Sequence, residues 1–135
     1  DMERLCPHAL MLNYTNPMCM LTWLHSVGSS IQNVGLCHSV QGTTMKLAQG
    51  VDVDYEDLSY LVAGINHQAW VLKLRKGNED LYPRLREVIE THEDFADDRV
   101  RVELMRQFGY FVTESTRHNA EYLPYFRRTG ELRQY

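Results

Sequence analysis

The sequence predicts an α/β chain in two parts, on three observations. Short continuous apolar runs at 9–12 and 33–37 are each followed by helical spacing. Strand, helix, strand, helix is the rhythm of a sheet with helical crossovers. After the acidic DVDYED segment the pattern changes to longer stretches of alternating polarity, which read as half-exposed antiparallel strands. The boundary falls near Asp57, giving parts 1–57 and 58–135.

In chain order, Ala9–Leu12 suits a buried parallel strand closed by the loop residues Asn13 to Pro17. Pro17 is well placed to open a helix that keeps Met18, Leu21, Leu24 and His25 on one face until Gly28. Asn33–Cys37 is a second short strand. Ser39 is a candidate cap for the next helix, where Val40, Thr44, Leu47, Ala48 and Val51 recur at helical spacing. In the second part Leu58–Ile65 is apolar, and Trp70, Leu72 and Leu74 alternate with Val71, Lys73 and Arg75 before a turn around Lys76 to Asn78. Leu81–Thr91 and Arg99–Phe108 read as helices, the latter through Val100, Leu104 and Phe108. No internal repeat or low-complexity segment interrupts the chain.

Composition narrows the class. With 44% hydrophobic residues in 135, there is material for a core. A net charge of -4 with interspersed signs leaves no polybasic patch for nucleic acid or a membrane surface. No apolar run approaches the ~20 residues of a membrane span, and no secretory leader opens the chain. The opening DMERLCPHALML lacks an initiator Met and is expected to be a cut end. Cys6, Cys19 and Cys37 are odd in number and set in apolar sequence, which argues against a disulfide framework and for a reducing cytoplasm. Cys6 and Cys19 are most simply small core residues.

Sheets of this kind bind ligands beyond the carboxyl ends of their strands. Those ends carry Asn13 to Asn16 and Cys37 to His38. A second apolar run ends in GINH, at His67. Thiolate plus imidazole suits a divalent transition metal with positions left open for substrate. The alternative is a core thiol and a hydrogen-bonded buried histidine, and the spacing of Cys37 and His67 is no local metal signature by itself.

Five stretches extend the reading. NYTNPM, VGLCHSVQGT, GINHQAW, DLYPRL and FGYFVTESTRHNAEYLPYF follow one another along essentially the whole chain. Together they resemble the NAD- and manganese-dependent glycosidases of family 4, and most of all their α-galactosidase (melibiase) branch, a family outside the two-carboxylate rule for glycosidases. The resemblance implies the end of a Rossmann-like NAD-binding domain (1–57) running into an α+β catalytic domain with antiparallel strands (58–135). No G-x-G-x-x-G occurs in the sequence, so the chain resembles a middle piece of such an enzyme, inactive alone and without a cofactor-binding residue to assign.

The same resemblance implies roles. Cys37 and His67 match the metal ligands, with Mn2+ holding the sugar's C2 and C3 oxygens. Asn16 matches a substrate-binding asparagine near the nicotinamide. Tyr122 aligns with the tyrosine proposed as the base that removes the C2 proton, with Glu121 beside it in reserve; the other reading of Tyr122 is a core aromatic among Phe111, Tyr125 and Phe126. His38 stands where phospho-glycosidases of the family carry an aspartate proton donor. It is a candidate donor to the leaving oxygen or a sugar-hydroxyl ligand. Glu114 and His118 lie in a motif typical of the α-galactosidase branch, although Arg117 occupies a position that is usually acidic there. Arg127 and Arg128 read as solvated charges.

The expected activity is hydrolysis of α-galactosides by NAD-dependent oxidation at C3, metal-assisted deprotonation at C2, elimination, water addition and re-reduction. The expected partners are a small sugar, and further copies of the chain in the complete enzyme. Within the family, α-glucosidase and α-galacturonidase are the alternatives. Outside it stand a lactate- or malate-type dehydrogenase, which leaves Cys37 without a role, and an inert metal-binding domain.

Overall fold

A computed structural model describes residues 1–127, and so Arg128 lies outside the described residues. The chain forms two compact units, Asp1–His38 and Ser39–Tyr135.

The first unit runs α1 (Met2–Leu5), β1 (Leu10–Asn13), α2 (Met18–Gly28) and β2 (Gln32–Gly35). The two strands pair in parallel, Leu10 opposite Gln32 and Asn13 opposite Gly35. Buried Asn13 fastens the helix to the strand: its side-chain amide donates to the Met18 carbonyl at 3.2 Å and to Thr22 Oγ1 at 3.0 Å. Gly35 permits the close approach of α2, since a Cβ there would sit 2.2 Å from Met18 Sδ.

Three expectations for this unit are corrected. The first strand is not buried, for Leu10 and Leu12 are 58% and 59% exposed. On α2 only Met18 is buried, and Leu21 and Leu24 face outward. Cys6 and Cys19 are exposed rather than core residues. Apolar sequence alone predicted burial, but a two-stranded pair with one helix covers only part of its apolar surface. The second strand also stops earlier than expected. Leu36 N–H donates to the Asn13 carbonyl at 2.9 Å, and Cys37 stands in the segment beyond.

The second unit contains α3 (Ser39–Gly50), β3 (Leu58–Ile65), β4 (Gln68–Lys76), β5 (Glu79–Asp80), α4 (Tyr82–Val88), α5 (Arg99–Phe108), β6 (Phe111–Val112) and α6 (Thr116–Tyr122). Strand β4 is the hub, pairing antiparallel with β3, β5 and β6. Helices α3, α4 and α5 supply Leu47, Leu85, Val102 and Met105 to a core that also takes Val51, Val71, Leu74, Phe95 and Phe111. A smaller cluster joins Val100 and Leu104 on the other side of α5 to Val112 and Ala120.

The alternation in β4 is broken. Val71 and Leu74 are both fully buried while Leu72 is exposed, whereas simple alternation grouped Leu72 with Leu74. Leu61 pairs with Lys73 and Val62 with Val71, so Leu72 is the extra residue of a bulge. One inserted residue reverses the parity of the strand and turns Val71 inward with Leu74.

Candidate functional site

His67 sits in the two-residue turn between β3 and β4 with φ +61, an uncommon backbone state for a residue with a side chain, though histidine visits it more than most. Its neighbour Gly64 has φ +144, and a Cβ there would lie 2.4 Å from the Gln68 carbonyl oxygen and 2.5 Å from Ala69 Cα. GINHQ is therefore a turn in which glycine lets the strands close and histidine accepts backbone strain.

Strand β6 brings the second group of residues to that turn. Trp70 pairs with Val112, and the Thr113 N–H and hydroxyl both donate to the Ala69 carbonyl, at 2.9 and 3.2 Å. Glu114 follows directly. Ser115 then caps α6, accepting from the His118 N–H at 3.2 Å. Asn119, fully buried, donates to the carbonyls of Glu114 and Ser115 at 2.7 and 3.0 Å and locks this corner.

The result is a cluster of titratable side chains within the second unit. His67 Nε2 lies 3.5 Å from Glu114 Oε2, and His67 Nδ1 lies 3.3 Å from the Tyr122 hydroxyl. The His67, His118 and Tyr122 rings stack, with centroids 5.8 to 6.5 Å apart. Glu114 is 8% exposed. Burial works to raise its pKa, but the Ser115 N–H at 2.8 Å, the Ser39 hydroxyl at 2.7 Å and the neighbouring histidines hold it below the ordinary carboxylate range.

Glu121 is committed elsewhere. Its Oε2 meets His118 Nδ1 at 2.9 Å, and its Oε1 meets Arg117 at 3.3 Å and Arg127 at 3.4 Å. The His118 hydrogen bond is the main reason its pKa is lowered, with Arg117 and Arg127 adding to the effect. A carboxylate so occupied is a poor proton acceptor.

Among the sequence candidates, the structure brings His67 and Tyr122 together. Tyr122 is 48% exposed, not a core aromatic. The other three candidates lie in the first unit. Asn16 is exposed before α2, at a cis Asn16–Pro17 bond. Cys37 is half-buried in the segment after β2, and exposed His38 has its ring 4.7 Å from that of Tyr14. The sequence reading gave Ser39 only as a helix cap and Glu114 only as part of a motif, neither with a role in the site. Ser39 looked like a helix cap, yet its hydroxyl donates to Glu114. The signal for Glu114 was its place in FVTESTRH, but only the β4–β6 pairing links that stretch to GINH.

Comparison with known proteins gives the context. The profile of the family 4 glycosyl hydrolases matches residues 1–53, and that of the family 4 glycosyl hydrolase C-terminal domain matches residues 62–135. The chain belongs to glycosyl hydrolase family 4. An α-galactosidase of Bacillus subtilis is 48% identical over 93% of this chain and 29% of its own length. An α-galacturonidase of Thermoanaerobacter italicus is 32% identical over 92% of this chain and 32% of its own length. The chain thus spans about a third of the curated relatives it matches. A 6-phospho-α-glucosidase from gut microorganisms, solved in complex with NAD and Mn2+, superposes with a TM-score of 0.73 at 20% identity, over 93% of this chain and 32% of that one. The fold class is as expected: the end of a Rossmann-like domain leading into an α+β region with antiparallel strands. Among the described residues no helix is long and apolar enough to cross a membrane.

The family implies a divalent metal, and the chemistry of the cluster fits one. A ligating histidine uses one ring nitrogen and fixes the other on a hydrogen-bonding partner. His67 has that form, with Nε2 facing a buried carboxylate and Nδ1 facing a phenol. Imidazole and carboxylate are suitable donors for a first-row ion. For a dinucleotide the residues of this chain offer no glycine-rich phosphate cradle, and none is assigned to it.

Proposed function

We propose that the enzyme containing this chain hydrolyses O-glycosidic bonds by a sequence of oxidation, elimination, addition and reduction, with α-galactosides as substrates. Family membership and the 48% identity to an α-galactosidase support the activity and the sugar. The observation that carries the mechanism is the 3.3 Å approach of Tyr122 to His67. A phenol has no reason to be a base unless positive charge stands nearby. The 32% identity to an α-galacturonidase makes that sugar acid the second substrate class.

In this reading Cys37 and His67 hold Mn2+. When bound, NAD supplies a reversible hydride acceptor for sugar C3 and Mn2+ a Lewis acid for the adjacent oxygens. The chain's own residues handle protons and position. Tyr122 removes the proton from C2, and the electron pair left on carbon expels the glycosidic oxygen from C1. His38 donates a proton to that oxygen as it leaves, and Asn16 hydrogen-bonds a sugar hydroxyl to set the ring's height.

The test is substrate deuterated at C2, presented to the whole enzyme with NAD and Mn2+. A primary isotope effect or exchange of the label with solvent is expected. Neither occurs where two carboxylates act at the anomeric carbon alone, and absence of both overturns the proposal.

A further inference from the structure

We infer that Glu114 is a further protein ligand of the divalent ion, through Oε2; this rests on the proposal that His67 binds the metal. The separation of His67 Nε2 and Glu114 Oε2 is 3.5 Å. A direct N–H···O hydrogen bond runs from about 2.7 to 3.2 Å, so the pair is too far apart to be one. Two donors that share a first-row ion, each about 2.1 Å from it, lie about 3.0 Å apart at a right angle and about 3.4 Å apart at a tetrahedral one. The observed gap lies close to the tetrahedral value.

The carboxylate is built for this use. Ser39 at 2.7 Å and the Ser115 N–H at 2.8 Å already meet the hydrogen-bonding need of its two oxygens and fix its plane. Asn119 holds the Glu114 carbonyl, so the backbone does not swing away. Ser39 and Ser115 then serve as orienting groups around a ligand, which is how metal ligands are ordinarily supported.

The experiment is Mn2+ binding to the metal-free whole enzyme, without sugar or NAD, followed by the electron paramagnetic resonance signal of the free ion. Glu114→Gln keeps the shape and is expected to bind Mn2+ at least tenfold more weakly; His67→Ala is expected to weaken it at least as much. Cobalt separates a ligand from an orienting group: at saturating Co2+ the visible absorption of Glu114→Gln should differ in band position from wild type. An unchanged spectrum at saturation, or unchanged Mn2+ affinity, overturns the inference. If His67→Ala weakens binding while Glu114→Gln does not, only this inference fails; if neither does, the metal reading fails with it. Should Glu114→Gln not melt cooperatively, Glu114→Asp withdraws the oxygens by one methylene and keeps the charge. Wild-type Mn2+ affinity in that variant likewise overturns the assignment.

Discussion

The Tyr122 hydroxyl stands 3.3 Å from Nδ1 of His67, although 55 residues separate them in the chain. The contact joins the last residue of a helix to the strained turn of a hairpin, and it is possible because β6 docks on β4. It separates the two candidates for the base. Tyr122 reaches the His67 imidazole, whereas Glu121, one residue earlier, is held by His118 and two arginines. In the whole enzyme Tyr122→Phe is therefore expected to lower kcat by about 10²-fold or more, the usual contribution of a general base, with Mn2+ affinity retained. Glu121→Gln is expected to cost much less. Equal losses in the two variants would remove Tyr122 from its role.

His67 occupies a backbone conformation that glycine adopts freely. Residues that accept such strain, about 1–3 kcal/mol, cluster at functional sites. His67→Gly should therefore leave the melting temperature unchanged or raise it, while abolishing turnover. Thermal melts of metal-free protein beside an assay with an aryl α-galactoside decide the matter. A melting temperature well below wild type would mean that the imidazole serves the fold.

Much of this was legible in sequence, and the exceptions share a cause. Helical periodicity located α2 and α5 to the residue or nearly so, because 3.6-residue spacing is local. The hairpin of β3 and β4 was legible from alternation, but its bulge at Leu72 was not, since an inserted residue shows only against the partner strand. Asn16, Cys37, His38, His67 and Tyr122 stood out through motif resemblance. Glu114 lay in one of those motifs but drew no role, because its neighbours Ser39 and His67 are remote in sequence and nothing local marks a carboxylate as clamped. The burial expected of Leu10 and Leu12 failed for another reason: apolar sequence states what needs cover, not what covers it.

Tyr82 gives a pH test of the core. Its hydroxyl donates to the Val71 carbonyl and accepts from the Phe111 N–H at 3.1 Å, tying α4 to β4 and β6. Burial pushes its pKa up to about 12, against a partial offset from the Phe111 N–H. A folded-state pKa above the unfolded value near 10 means the contribution is fully present below pH 10 and is lost as pH rises through 12. Tyr82→Phe should cost about 1–3 kcal/mol at neutral pH, where two hydrogen bonds are lost. The gap in melting temperature between the two proteins should then narrow between pH 10 and 12. A gap constant over that range would show that folding does not raise the Tyr82 pKa.

The last prediction concerns the bracing behind Glu114. Arg101, 6% exposed, reaches Asp98 at 3.3 Å, the Val112 carbonyl at 3.1 and 3.2 Å and Thr43 Oγ1 at 2.7 Å, and Thr43 in turn donates to the Thr113 carbonyl. The guanidinium thus fastens α5, α3 and the end of β6, and through Thr43 it also holds Thr113, the residue next to Glu114. Asp98, 5% exposed, also receives Lys46 at 2.6 Å. Arg101→Met removes one partner of a buried pair and leaves the Val112 carbonyl and Thr43 without their donor, a loss of about 3–5 kcal/mol. Arg101→Lys should rescue little, because an ammonium does not serve three acceptors from one planar fork. Since the same fork steadies Thr113, Mn2+ affinity should weaken in both variants even at temperatures where they remain folded. Thermal melts paired with Mn2+ titration at 10 °C test the chain of contact. A large loss of stability with wild-type Mn2+ affinity would show that Glu114 is held by Ser39, Ser115 and Asn119 alone, and that the brace serves only the core.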